Sequence, residues 1–284
     1  MIVTRLMGGL GNQMFQYAAG RRLALHRQTE LKLDLSWLEN EGKKATAVRT
    51  YELDCFNIAQ IFADPKDLSN RKGLLRSRKS DGEKISVFNE DGFAFDKNVL
   101  NLPDNTLLSG YWQSEKYFKD IADTIRSDFT FMSPPKGKSL EIAERINNST
   151  SISLHVRRGD YATNKETNVY HGLAPIEYYN AAVAKIMTTV QNPHFYVFSD
   201  DPEWTKEHIK LRSPATYVDH NSKGAEDMRL MSMCQHHIIA NSSFSWWAAW
   251  LNPSTDKIVI APKQWFNLKT LDTSDLIPAS WIRL

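Results

Sequence analysis

Three apolar runs in the second half of the chain each stop abruptly in a polar cluster, and that repeated pattern restricts the folds open to it. Ile152 to Asp160 reads ISLHVRRGD, with Ile152, Leu154 and Val156 alternating as in a short buried strand. His194 to Phe198 (HFYVF) ends in Ser199-Asp200-Asp201, and His236 to Ala240 ends in Asn241-Ser242-Ser243. Helical periods lie between these runs. Pro175 opens a helix with Ile176, Tyr179, Val183 and Ile186 on one face, and further helices are expected over 139–147, 202–211, 226–235 and 244–251. Short strands at 216–218 and 257–261 complete the series. Strands alternating with helices predict an α/β fold whose parallel sheet is covered on both faces, with ligands at the carboxyl ends of the strands.

The first half begins in the same way. A strand over 2–6 leads into GGLGNQ (Gly8 to Gln13), a helix to about Arg27 and a second strand over 31–35. A dinucleotide fingerprint needs a third glycine where Met14 stands, so an oxidoreductase is a weaker reading despite Asp34. Two readings of the turn stay open: it joins strand to helix, or it brings the backbone of Gly9, Gly11 and Asn12 up to a ligand at a helix start. Residues 36–100 look irregular. Ser69 to Lys84 holds six basic residues against two acids and reads as a solvated loop, with contact to an anionic membrane surface as the second reading. A strand is expected over 106–112 and a helix over 114–129. Pro134-Pro135 marks the boundary between domains 1–135 and 136–284. The last segment, 263–284, is left open between the second domain and a return onto the first as a last helix.

Composition removes several classes of function. A formal charge of +2 gives no reason to expect nucleic acid as a partner. Cys55 and Cys234 cannot make a disulfide framework, which points to a reducing, cytoplasmic setting. No apolar run reaches the ~20 residues of a membrane span, and Met1 is not followed by a signal-peptide pattern, so at most peripheral membrane contact is expected. Two aspartates separated by one residue, common in metal-dependent sugar-nucleotide enzymes, occur nowhere, and no His-Glu-x-x-His is present; no metal is expected. His236 and His237 begin a buried run and are expected to be structural. No Gly-x-Ser-x-Gly elbow exists, and neither cysteine has a histidine at motif spacing, so covalent nucleophile chemistry has no support. Arg158-Gly159-Asp160 spells an adhesion tripeptide, but its place after a buried strand argues for a pocket.

Two adjacent guanidiniums at a strand end suit an anion, because planar five-donor forks match phosphate oxygens and Gly159 lets the backbone come close. Ser242 and Ser243 precede a helix, where they can both cap it and hold a phosphate. Three blocks, GGLGNQMFQYA at 8–18, HVRRGDY at 155–161 and NSSFSWWAAWLNP at 241–253, together resemble the alpha-1,2-fucosyltransferase family, glycosyltransferase family 11. The resemblance implies the GT-B architecture, two facing Rossmann-like domains with parallel sheets, and inverting transfer from GDP-fucose to a galactose-terminated oligosaccharide without a cofactor. It implies that Arg157 holds the diphosphate, that His155 contacts the donor and that Arg158 braces the loop. Asp227, with Glu226 as rival, stands for the guanine-side acid. Asn241, Ser242, Ser243 and Phe244 would complete the phosphate and nucleoside pocket, and Asn12, with Gly9 and Gly11, would sit beside the reacting sugar. Asp160 and Glu166 are candidates for a base. His171, Gly172, Tyr111 and Trp112 are acceptor candidates with equally good structural explanations. A fucosyltransferase of another linkage, alpha-1,6 or O-fucosyl, is the nearest alternative.

Overall fold

Strands β1 (Ile2–Arg5), β2 (Leu31–Asp34), β3 (Ser86–Asn89) and β4 (Thr106–Ser109) pair only in parallel, in the order β2-β1-β4-β3. Strands β5 (Thr150–Val156), β6 (Pro193–Ser199), β7 (Ala215–Val218), β8 (His236–Ile238), β9 (Val259–Ala261) and β10 (Ile282–Arg283) form a second parallel sheet, ordered β10-β9-β8-β5-β6-β7. The computed structural model describes residues 1–45, 48–68, 85–159, 162, 164–268 and 270–284, with residues 165–167 described by their backbone. The chain divides into two compact units, 1–128 and 129–284, each holding one sheet.

The helices follow from their apolar faces. In the first unit α1 (Leu10–Arg27) buries Met14, Phe15 and Ala18, and α2 (Ala122–Asp128) buries Ile125. In the second unit come α3 (Lys138–Asn147), α4 (Lys165–His171), α5 (Ile176–Met187), α6 (Pro202–His208), α7 (Gly224–Met233) and α8 (Ser243–Leu251). Helix α5 packs Tyr179, Ala182 and Ile186 against Ile152, Leu154 and Phe195 of the central strands. Helix α8 (SFSWWAAWL) is apolar almost all round, so it lies inside the unit. Trp246, Trp247, Ala248 and Ala249 have no exposed surface, and Trp246 Nε1 donates to the Leu276 carbonyl at 2.9 Å.

Three sequence expectations change. The helix expected over 114–129 breaks into 3-10 turns at Glu115–Tyr117 and Lys119–Ile121 before α2 begins. Adjacent Tyr117 and Phe118 are both buried, one against Trp112 and the other against Phe15, and a regular helix cannot aim neighbouring residues at two such targets. The region 36–100 contains β3, an edge strand whose mostly exposed residues give it no hydrophobic signature. Residues 263–284 carry no α-helix among the described residues; they end in β10, which pairs with β9 in the second sheet. The basic loop 69–84 lies outside the described residues. No helix among the described residues is long and apolar enough to cross a membrane.

Candidate active site

The second sheet reverses direction between β5 and β8. The chain runs β5 to β6 to β7 on one side, then crosses back to β8, β9 and β10 on the other. That is the order of a dinucleotide-binding sheet, and its crevice lies at the carboxyl ends of the two strands flanking the reversal. Those ends are His155-Val156-Arg157 after β5 and Asn241-Ser242-Ser243 after β8.

Register supplies the partner of Arg157. Val156 lies opposite Ser199 on β6, so the next residues out are Arg157 and Asp200. Arg157 pairs with Asp200 Oδ2 at 2.8 Å, while Asp200 Oδ1 accepts the Arg158 backbone N–H at 2.7 Å. A Cβ on Gly159 would fall 2.4 Å from Asp200 Oδ2. Gly159 therefore makes room for this carboxylate, a role different from the expected approach to a phosphate. Arg158 turns aside, paired with Asp201 at 3.2 Å and stacked 3.6 Å from the Trp204 ring centre, which braces the start of α6. The cationic fork is thus matched charge for charge by two aspartates. Arg157 is a quarter exposed, oriented by a carboxylate behind it.

His155 is buried, and its Nδ1 has no hydrogen-bond partner among the described residues. Burial, with the Arg157 charge adding to it, holds its pKa at about 3, so the ring is neutral. Its ring lies 5.5 Å from Phe244, which in turn covers Gly224 at the start of α7. One turn on, Asp227 accepts from Asn221 Nδ2 at 2.7 Å, and Asn221 is held by Ser139 Oγ at 2.8 Å. Burial and the neighbouring Glu226 raise the Asp227 carboxyl to about 6, against the Asn221 bond. Glu226 is engaged by Arg229 at 3.1 Å. The strip from His155 through Phe244 to Asp227 offers an apolar ring and a carboxylate, which suits a purine with ring N–H donors.

Two predicted residues do structural work. Asn241 Nδ2 donates to the carbonyls of His171, Gly172 and Trp265 at 3.0–3.3 Å, tying three segments together. Ser242 occupies the N-cap of α8, yet its hydroxyl does not cap the helix as expected; its backbone N–H bonds Ala240. Ser243 and Phe244 are half-buried at the helix start. His237 is buried and bonded to Ser153 Oγ at 2.8 Å, and His236 Nδ1 accepts from the Ile258 N–H, the structural roles expected of that pair. No group of three or more metal-ligating side chains occurs among the described residues. Asp160 lies outside the described residues, and Glu166 is placed in α4 by its backbone alone.

Asn12, Gly9 and Gly11 belong to the first unit, at the start of α1. Asn12 Oδ1 accepts from Gln113 Nε2 at 2.8 Å. Trp112 is fully buried among Phe88 and Tyr117, which removes it as a surface for a sugar, whereas Tyr111 is half-buried and stacks on Phe93. The sequence placed Asp200 in the polar cluster after a strand without tying it to Arg157, and it gave no sign of the Gln113–Asn12 hydrogen bond or of Glu90 holding the turn before it.

Comparison with known proteins agrees with this architecture. An alpha-1,2-colitosyltransferase of Escherichia coli is 35% identical over 295 residues, covering 100% of this chain and 99% of that protein. A galactoside alpha-(1,2)-fucosyltransferase 2 of Sus scrofa is 28% identical over 153 residues, 51% of this chain and 45% of its own. The fucosyltransferase NodZ from Bradyrhizobium superposes with a TM-score of 0.51 at 13% identity, covering 89% of this chain and 93% of that one, a likeness of fold. The two Rossmann-like units are those of the GT-B class of glycosyltransferases. The model of glycosyl transferase family 11 matches residues 89–284, and with it the chain belongs to that family.

Proposed function

We propose that this glycosyltransferase moves L-fucose from GDP-beta-L-fucose to the 2-hydroxyl of a terminal galactose, with inversion and without a metal ion. The observation that carries the reading is Arg157, set by Asp200 at the switch point of a nucleotide-type sheet, beside the strip from His155 to Asp227. In the reaction, the acceptor hydroxyl attacks the anomeric carbon while the bond to GDP breaks. Charge accumulates on the leaving diphosphate, and a guanidinium already oriented by a carboxylate stabilises it without reorganising. Neutral His155 can serve as a hydrogen-bonding partner of the donor without adding charge. Asp227 accepts from the guanine edge, and Ser243 and Phe244 close over the nucleoside. Asp160 and Glu166 remain candidates for accepting the acceptor proton. The oxocarbenium-like transition state needs most help at the leaving group, so this division of labour is sufficient in kind. The absence of a membrane-crossing helix among the described residues fits a cytoplasmic enzyme that meets its acceptor at the membrane surface.

Full-length similarity to a colitosyltransferase favours a second donor, colitose, which is fucose lacking its 3-hydroxyl. One experiment decides between them. The chain is incubated with GDP-fucose or GDP-colitose, a panel of galactose-terminated oligosaccharides, and EDTA in excess, and products are assigned by linkage analysis. An alpha-1,2-fucosyl product in EDTA is expected; a product formed from GDP-colitose alone, another linkage, or abolition by the chelator overturns the corresponding part.

A further inference from the structure

Within the second unit, three polar side chains stand in line behind the Asp227 carboxylate. The loop that leaves β7, Asp219-His220-Asn221, meets Ser139 in the first turn of α3 and Asp227 on α7. An ionised carboxylate can only accept, so Asn221 faces Asp227 Oδ1 with its NH2 group, at 2.7 Å. The Asn221 carbonyl oxygen is then turned to Ser139, whose hydroxyl donates to it at 2.8 Å. Ser139 has one proton to give, so its contact of 3.2 Å with His220 Nε2 is a bond from the imidazole N–H. Burial, with the Lys138 charge, holds the His220 pKa below its ordinary value against Asp219 and Glu141, so the ring is neutral. Its Nδ1 is left bare, buried and without a hydrogen-bond partner among the described residues.

Stability alone does not ask for this arrangement. A bare acceptor on His220 and a largely buried carboxylate that pairs with no cation among the described residues both lower it. Apolar side chains of the same shape would avoid both costs. The position of the carboxylate supplies a reason. Gly224 and Asp227 are three residues apart on α7 and share a face, and the Phe244 ring lies over Gly224, 3.4 Å from where a Cβ would stand. The same ring lies 5.5 Å from His155 at the end of β5. Asp227 is only half-buried, and its Oδ2 takes no hydrogen bond among the described residues. This placement rests on contacts inside the second unit.

We propose that Asn221 is a positioning residue of nucleotide recognition: backed by Ser139 and His220, it fixes Asp227 Oδ1 and leaves Oδ2 to accept an N–H donor of the bound base. Without that bond the carboxylate would turn more freely and take up a proton more readily. The other charges nearby are matched: Glu226 by Arg229 at 3.1 Å, and Asp219 by Lys206 at 2.9 Å and Lys138 at 4.0 Å. Helix α8 brings no titratable group to the site. The inference rests on the sugar-transfer reading above.

Two variants test it in the full chain, with GDP as the probe ligand and calorimetry from pH 5 to 8.5. The GDP phosphate titrates alike against every chain, so the difference between chains carries the result. In the native chain the Asp227 contribution is expected to fade below about pH 6. Asn221→Leu keeps the shape and removes the bond, so its midpoint is expected about one pH unit higher. Affinity is then about tenfold below native at pH 5 and within about threefold of it at pH 8.5, where both carboxylates are ionised. Ser139→Ala leaves Asn221 in place but free to turn over, and its midpoint is expected to move the same way by less. Native midpoints in both variants, whatever their melting temperatures, overturn the proposal in favour of a plain tether between loop and helix. A shift confined to Asn221→Leu supports Asn221 and overturns the part given to Ser139; if Asn221→Leu does not fold, Ser139→Ala decides alone. Should the native chain bind no GDP, that failure belongs to the sugar-transfer reading. The geometry is then judged by the Asp227 carboxyl carbon resonance, whose titration midpoint is expected to rise in the variants and counts against the proposal if it stays.

Discussion

Asp200 performs two tasks with one carboxylate: it orients the Arg157 guanidinium and accepts the Arg158 backbone N–H, over a glycine that makes room for it. Gly159→Ala places a methyl group 2.4 Å from Oδ2, so the carboxylate or the loop must shift. A loss of about 1–3 kcal/mol in denaturant unfolding, as in other overpacked sites, is expected together with slower transfer. Asp227 gives a second test at this scale. Its carboxyl is raised to about 6, so the carboxylate that would accept from guanine is fully present only above that pH. GDP affinity, followed by calorimetry, is expected to fall about tenfold per pH unit below 6, and Asp227→Asn is expected to bind weakly but independently of pH over that range. His155 and Arg157 were legible as polar residues at the end of an apolar run, whereas Asp227 entered only through the family resemblance. The role of Asp200 was not legible, because its tie to Arg157 depends on the register of Val156 against Ser199, which no local pattern encodes.

Among the elements, the second-unit helices other than α4 declared themselves through their period, and their strands other than β10 through short apolar runs. Strand β3 stayed silent because an exposed edge strand carries no burial pattern. Helix α8 shows how far an apolar signature reaches: Trp247 is fully buried against Phe129, Trp246 and Trp250. Trp247→Ala is expected to cost about 3–5 kcal/mol, read from denaturation midpoints, because a cavity of that size cannot collapse inside a packed helix. In the first unit, burial raises the Glu90 carboxyl from 4.5 to about 7, against the hydrogen bonds from Tyr111 and Trp112. The folded chain therefore holds a proton that the unfolded chain gives up between those values, and stability falls as pH rises through the window. Glu90→Gln is expected to flatten that part of the slope, measured as unfolding free energy at pH 5 and pH 7.5.

For the molecule as a whole, the parallel order of both sheets puts every strand's carboxyl end in each unit on one rim. The expectation of two units came from Pro134-Pro135, with strands and helices alternating beyond it and a strand-turn-helix opening at the start of the chain; the crossover positions that create the switch points were not legible, because they depend on long-range pairing. A ligand that binds only the folded chain stabilises it by mass action. GDP at about 100 times its dissociation constant is expected to add about 2.7 kcal/mol, seen as a raised melting temperature, and Arg157→Ala to lose most of that gain.

Asn241 has a consequence that reaches beyond the rim on which it sits. A single carboxamide nitrogen fastens the end of β8 to carbonyls 70 residues before it and 24 residues after it. The C-terminal stretch is thus part of the scaffold that keeps the rim in shape. Trimming the chain back to Ala261 would slacken the end of β8, from which it deletes no residue, as a tent pole shifts when a distant guy rope is cut.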